Sequence, residues 1–125
     1  MPKQARPPER KTILIVEDNP GDARIVREFL RLEASTSSME VSCAASLREA
    51  LDLLGSRTFT VALIDLSLPD STGLDTVRRI RQAAPALAFV VLTGLRDESA
   101  GLAAIKEGAQ DFLDKNELDE KILVR

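Results

Sequence analysis

The sequence predicts an α/β domain built on a doubly wound, five-stranded parallel sheet with helices on both faces. The chain has 125 residues, 44% of them hydrophobic, which suits one domain with a single core. Short apolar runs alternate with helical patterns along it, as expected for repeated βα units. Residues 61–64 are apolar throughout, which is typical of a strand covered on both faces. We expect the strand order 2-1-3-4-5.

This alternation also gives the individual strands and the limits of the domain. The strands are predicted at residues 12–16, 40–43, 60–64, 89–92 and 110–113. Residues 1–11 are rich in Pro, Arg and Lys and lack apolar periodicity, so we interpret them as a flexible lead-in. The folded domain is therefore expected to occupy residues 12–125.

Each predicted helix has a recognisable start. Asn19 offers a cap and Pro20 a first-turn proline for the first helix. Ser46 and Glu49 form a capping box, in which the serine oxygen accepts from the Glu49 amide and the glutamate reaches back to the Ser46 amide. For the later helices the predicted starts are Ser71 or Thr72, then Asp97, then Asn116. The last helix stops in mid-pattern at Arg125 without a C-cap signal, so we expect it to be truncated and the natural chain to continue.

Composition excludes several classes of function. With 17 Lys and Arg against 20 Asp and Glu, the net charge is -3, which argues against direct binding to nucleic acid or to an anionic membrane. The apolar stretch at residues 86–92 is far shorter than the ~20 residues that span a bilayer. Cys43 is the only cysteine, which suits a reducing, cytoplasmic location. The lack of histidine excludes Ser-His-Asp hydrolysis and a phosphohistidine on this chain.

Polar side chains follow four of the five predicted strands. Glu17 and Asp18 follow the first strand, Asp65 the third and Thr93 the fourth, and the fifth leads into Lys115. Each residue alone also fits a purely structural role. The carboxyl ends of parallel strands meet at one edge of the sheet, however, so we expect these side chains to converge at the switch point between strands one and three. Three carboxylates held that close favour a cation, and oxygen ligands suit Mg²⁺.

Four motifs carry a resemblance to a known family. They are ILIVEDN at residues 13–19, DLSLPDSTG at 65–73, VLTG at 91–94 and GAQDFLDK at 108–115. From residue 11 to 125 the chain resembles the receiver domains of two-component response regulators, which implies a flavodoxin-like fold. Within that family, NPGD and LPDS look like the regulators found beside phytochrome-type kinases or at the front of multidomain signalling proteins.

The resemblance implies a phosphorylation site and a magnesium site. Asp65 would be the phosphoacceptor, attacking a phosphohistidine on a histidine kinase or histidine phosphotransfer protein. Asp18 would bind Mg²⁺ directly, Glu17 would bind it through water, and Asp65 and the main-chain carbonyl of Ser67 would complete the metal shell. Such a domain catalyses its own phosphoryl transfer and dephosphorylation and is not a free-standing enzyme.

The resemblance further implies a conformational switch. Lys115 would neutralise the phosphoryl group, and Thr93 would turn toward it while the Phe112 ring fills the space that Thr93 leaves. The fourth helix and fifth strand would relay the signal, to an output domain after Arg125, to a separate protein or within a homodimer. Two departures stand out: Asn116 takes the place of a common proline, and Phe112 that of the commoner tyrosine, which weights the ring toward the buried state.

Three other functions fit the sequence less well. A Mg²⁺-dependent phosphatase with an aspartyl nucleophile would need a second Asp two residues after Asp65, where Ser67 stands. Nucleotide binding would need a glycine-rich loop that the sequence lacks. An interaction module that has lost phosphorylation remains an alternative, although all the residues of the expected site are present.

Overall fold

Five parallel strands form the central sheet, in the order β2-β1-β3-β6-β7. The computed structural model describes residues 11–33, 39–94 and 98–118. The order confirms the predicted one, because β6 and β7 are the fourth and fifth predicted strands. The elements are β1 Lys11–Val16, α1 Pro20–Glu33, β2 Met39–Ala44, α2 Leu47–Ser56, β3 Val61–Asp65, β4 Ser67–Leu68, β5 Ser71–Thr72, α3 Gly73–Ala83, β6 Ala88–Thr93, α4 Glu98–Lys106 and β7 Asp111–Asp114, followed by helical residues 115–118.

The core lies on both faces of the sheet, as the apolar strands predict. Along β1, Leu14 and Val16 belong to one buried cluster and Ile13 and Ile15 to the other, because successive side chains of a strand point to opposite faces. Helices α2, α3 and α4 cover the first cluster, and α1 and residues 115–118 cover the second. The helical residues that are buried in these clusters are Leu47, Ala50, Val77, Ile80 and Ala104 on the first face, and Val26 and Leu118 on the second.

The cap of α1 is confirmed, and that of α2 is confirmed in part. The Asn19 side-chain oxygen accepts from the amides of Gly21 and Asp22 at 2.8 and 3.1 Å. The Ser46 hydroxyl accepts from the Glu49 amide at 3.1 Å. The predicted return bond is wrong by one residue: the Glu49 carboxylate accepts from the Ala45 amide at 2.6 Å, since the extended backbone of Ser46 brings that amide within its reach.

The start of α3 differs from the prediction. Thr72 occupies the N-cap position, but within the described part of the chain its side chain makes no capping hydrogen bond. The Ser71 hydroxyl instead forms a hydrogen bond with the Thr76 hydroxyl, at 2.6 Å. Both residues belong instead to a short antiparallel hairpin, in which β4 pairs with β5 directly after β3. Gly73, with φ at 60°, makes the turn into α3.

The last helical stretch begins one residue earlier than predicted. Lys115 is already helical, and the Asp114 carboxylate caps the turn by accepting from the Asn116 amide at 2.8 Å. The predicted cap Asp97 and the predicted lead-in, apart from Lys11, lie outside the described residues. In the described parts of the chain, no helix combines the length and apolar character needed to cross a membrane.

Candidate functional site

The polar side chains predicted to converge do meet at one edge of the sheet. Glu17 and Asp18 directly follow β1, Asp65 and Thr93 are the last residues of β3 and β6, and Lys115 directly follows β7. One oxygen from each of the three acidic residues lies within 4.8 Å of the other two. This arrangement arises because β1 and β3 are adjacent parallel strands, and Val16 at the end of β1 pairs with Ile64 near the end of β3.

Lys115 crosses the site and contacts three carboxylates. Its ammonium lies 2.9 Å from Glu17, 3.0 Å from Asp22 and 3.4 Å from Asp65. The side chain of Lys115 is 19% exposed, and those of Glu17 and Asp65 only 1% and 5%. Burial of this kind is tolerable because the charges are paired.

The electrostatics leave an excess of negative charge. Burial raises the pKa of Glu17 to about 7, and the Asp65 charge adds to that rise, against the lowering by Lys115 and by the Asn19 amide. Burial alone would lower the pKa of Lys115, but its hydrogen bonds to Glu17 and Asp22 and the charge of Asp65 raise it above its ordinary value. One ammonium does not balance this many carboxylates, so a further cation would stabilise the site.

The donor set fits Mg²⁺. Glu17, Asp18 and Asp65 offer oxygen atoms only, spaced closely enough for one ion to contact all three. Asp18 is exposed and leaves one side of the cluster open to solvent, as a hydrated ion requires. The loop after Asp65 is held close to the cluster, because the Ser67 amide donates to the Asp65 carboxylate at 3.2 Å. These residues could therefore hold a magnesium ion.

An open cavity of about 590 Å³ lies beside this cluster. Its lining includes Asp65, Ser67, Thr93, Gly94 and Lys115. A carboxylate, a hydroxyl and an ammonium thus face one space large enough for a phosphoryl group. The arrangement suits the stabilisation of an anionic group attached to Asp65.

Thr93 and Phe112 lie on the adjacent strands β6 and β7, and each side chain has its own partner. The Thr93 hydroxyl donates to the main-chain carbonyl of Leu113 on β7, at 3.4 Å. The Phe112 ring is half-buried against α4, where Gly101 leaves room for it. A Cβ atom built on Gly101 would lie only 2.3 Å from the ring. Gly101 is therefore a determinant of the ring position that the sequence did not reveal.

Two acidic residues of the site region were also missed. Asp22 pairs with Lys115, and both carboxylate oxygens of Asp70, in the β4–β5 turn, accept from the amides of Leu47 and Arg48 at 2.8 and 3.0 Å. These bonds hold the pKa of Asp70 below its ordinary value. A signal for Asp22 existed, because an acidic residue in the first turn of a helix that starts at the site edge lies near the strand ends.

Known proteins resemble the chain over nearly its whole length. The family model of the response regulator receiver domain matches residues 13–125. Response regulator protein PilR of Pseudomonas aeruginosa is 34% identical over 106 residues, which are 85% of this chain and 23% of that protein. Response regulator MprA of Mycolicibacterium vanbaalenii is 35% identical over 113 residues, 90% of this chain and 47% of that protein. The chain thus spans less than half of the length of these relatives.

A solved structure shows the same fold. The crystal structure of the receiver domain of NtrX from Brucella abortus superimposes with a TM-score of 0.74 at 29% identity. The match covers 90% of this chain and 92% of that one.

Proposed function

Because this chain belongs to the response regulator receiver domain family, whose members act in phosphorylation-controlled signalling, we propose that Asp65 is its phosphoacceptor. The observation that carries the proposal is the position of the Asp65 carboxylate, at the edge of the open cavity and 3.4 Å from the Lys115 ammonium. A nucleophile needs an approach path and a counter-charge for the arriving phosphoryl group, and the site has both.

In the proposed reaction, a carboxylate oxygen of Asp65 attacks the phosphorus of a phosphohistidine on the partner. The P–O bond of an acyl phosphate forms as the P–N bond breaks, and the leaving imidazole takes up a proton. Lys115 offsets the negative charge of the phosphoryl oxygens, and Thr93 would exchange its bond to the Leu113 carbonyl for one to a phosphoryl oxygen. Attack by water on the same phosphorus would later release phosphate and regenerate Asp65.

Magnesium would be held by Asp18, Asp65 and the main-chain carbonyl of Ser67 directly, and by Glu17 through water. The convergence of the three carboxylates supports this assignment. When bound, the ion would supply positive charge to the phosphoryl oxygens, which is the main requirement of phosphoryl transfer.

We assign the phosphodonor to a histidine kinase or a histidine phosphotransfer protein, and the signal output to the face formed by α4 and β7. On α4 the large apolar side chains of Leu102 and Ile105 are 51% and 38% exposed, as a docking face requires. Since PilR and MprA are much longer than this chain, an output segment linked to the receiver domain is part of the proposal.

Phosphorylation by a small phosphodonor tests the assignment of Asp65. Incubation with acetyl phosphate and Mg²⁺ should give a phosphate-sized mass increase in the intact protein, and removal of Mg²⁺ with a chelator should prevent it. Asp65→Asn should remain unlabelled, whereas Asp52→Asn, a change of the same type on the exposed face of α2, should be labelled like the parent. A wild-type extent of labelling in Asp65→Asn would refute the assignment.

A further inference from the structure

We propose that Asp22 is a positioning residue that competes with the phosphoryl group of Asp65 for the Lys115 ammonium. The inference rests on the proposed function of Asp65 and goes beyond it, because Asp22 is outside the group of carboxylates that converge as metal ligands. Its role would be to restrain phosphorylation until the phosphoryl group displaces it from Lys115.

Asp22 forms a short ion pair with Lys115. The two side chains lie 3.0 Å apart, closer than the 3.4 Å between Lys115 and Asp65. Asp22 stands in the first turn of α1, where its amide donates to the Asn19 cap at 3.1 Å, so its backbone is fixed relative to the site. The ion pair therefore starts from a residue of helix α1 and not from a loop.

The hydrogen bonds that Lys115 already makes create the competition. Its ammonium donates to Glu17 at 2.9 Å and to Asp22 at 3.0 Å, and Asp65 lies 3.4 Å away as an ion-pair partner. A phosphoryl oxygen on Asp65 would attract the same ammonium, whose charge Glu17 and Asp22 already neutralise in part. The incoming group therefore competes with these two carboxylates for Lys115.

Burial decides which partner is exchanged. The Glu17 side chain is 1% exposed, so losing Lys115 would remove the direct ion pair of a buried carboxylate. The Asp22 side chain is 35% exposed and can replace Lys115 with water at far lower cost. Asp22 is thus the partner that Lys115 leaves, and the strength of its ion pair opposes the interaction with the phosphoryl group.

Binding of beryllium trifluoride, a mimic of a phosphoryl group on a carboxylate, tests this competition in the full chain at saturating Mg²⁺. Asp22→Asn should bind the mimic more tightly than wild type by about 3- to 10-fold, the size expected for a partly buried ion pair. Labelling of Asp65 by acetyl phosphate should accelerate by a similar factor. Both gains should shrink in high salt, because screening already weakens the competing pair in the wild type.

Matched variants separate this role from general effects of charge and stability. Glu28→Gln removes one negative charge from the same helix, at an exposed pair with Arg31, and should change neither measurement. Asp22→Glu keeps the charge and should show wild-type binding. Asp22→Ser also removes the charge and should show the same gain as Asp22→Asn, so it replaces that variant if the Asn amide perturbs folding. A merely structural role of Asp22 would alter melting temperature without these paired changes.

Equal or weaker binding of the mimic by Asp22→Asn, with normal binding by wild type, would overturn the inference. The same gain in Glu28→Gln would also overturn it, because net charge would then explain the effect. A wild-type protein that neither binds the mimic nor is labelled would instead refute the proposed function of Asp65, and this inference with it.

Discussion

At the scale of single residues, the site is defined by an imbalance of charge. Three carboxylates, those of Glu17, Asp22 and Asp65, pair with the ammonium of Lys115, and that of Asp18 lies close to Glu17 and Asp65. The charge of Glu17 is the one that burial destabilises most, since Glu17 is the most buried of the ion-paired carboxylates and its pKa is raised to about 7. Binding of either a proton or a metal ion would therefore reduce the repulsion in the site.

The two acidic residues after β1 should contribute unequally to Mg²⁺ binding. Asp18 would be a direct ligand and Glu17 an outer one that already pairs with Lys115. Glu17→Ala should weaken Mg²⁺ binding by about 10- to 100-fold, as loss of an outer partner does, and Asp18→Ala should weaken it more. Calorimetric titration of both variants measures this difference. Equal losses would show that the two roles are assigned wrongly.

The raised pKa of Glu17 predicts a pH dependence of stability in the metal-free protein. A carboxyl group whose pKa is higher in the folded state binds more protons there, so its stabilising contribution is complete below the ordinary value of 4.5 and is lost as pH rises through about 7. Urea denaturation in a chelator should show a decline in stability over this window in wild type that is reduced in Glu17→Gln. A decline of the same size in both proteins would assign it to other groups.

At the scale of elements, periodicity and local caps predicted most of the fold. The apolar strands and the Asn19 cap depend on neighbours in the sequence, and these features were confirmed. The features that were missed depend on distant partners. Asp70 binds amides 22 and 23 residues away, and Asp22 pairs with Lys115, 93 residues away. The convergence of Glu17, Asp18, Asp65 and Lys115 was predictable because sheet order alone brings strand ends together.

The packing of β7 against α4 should depend on the absence of a side chain at Gly101. Alanine normally stabilises a helix by up to about 1 kcal/mol relative to glycine. At Gly101, however, the added carbon would lie 2.3 Å from the Phe112 ring, and overpacking costs about 1–3 kcal/mol. We expect Gly101→Ala to lower the free energy of unfolding by about 1–2 kcal/mol, as measured by chemical denaturation.

Gly55 in α2 is the matched control for this substitution. A carbon built there meets nothing within 4 Å, so Gly55→Ala should stabilise the protein by about 0.5–1 kcal/mol. Adding Phe112→Ala to Gly101→Ala should cancel most of the steric cost, because the ring is then gone. If Gly101→Ala stabilised the protein as much as Gly55→Ala, the ring would have another position of equal energy.

At the scale of the whole molecule, stability and the site make opposing demands. The sheet is buried on both faces by apolar side chains, whereas its carboxyl edge holds more carboxylates than cations. The chain carries a net charge of -3, so no overall excess of basic residues offsets the repulsion at this edge. Sites that need strained or repelling groups commonly reduce the stability of the fold that holds them.

This opposition predicts that one substitution changes stability in opposite directions with and without magnesium. Asp18 is exposed, and the ion pairs of Lys115 within the described chain go to Glu17, Asp22 and Asp65. Asp18→Asn should therefore reduce repulsion without breaking a contact to the ammonium.

In a chelator, urea denaturation should show Asp18→Asn to be more stable than wild type by up to about 1 kcal/mol, the scale of exposed charge interactions. In saturating Mg²⁺ the order should reverse, because an ion bound only to the folded state stabilises wild type by about 2.7 kcal/mol at one hundred times its Kd, and the variant binds it poorly. Asp52→Asn, on α2, should keep the wild-type response to Mg²⁺. If Asp18→Asn remained more stable than wild type in saturating Mg²⁺, Asp18 would not be a ligand of the ion.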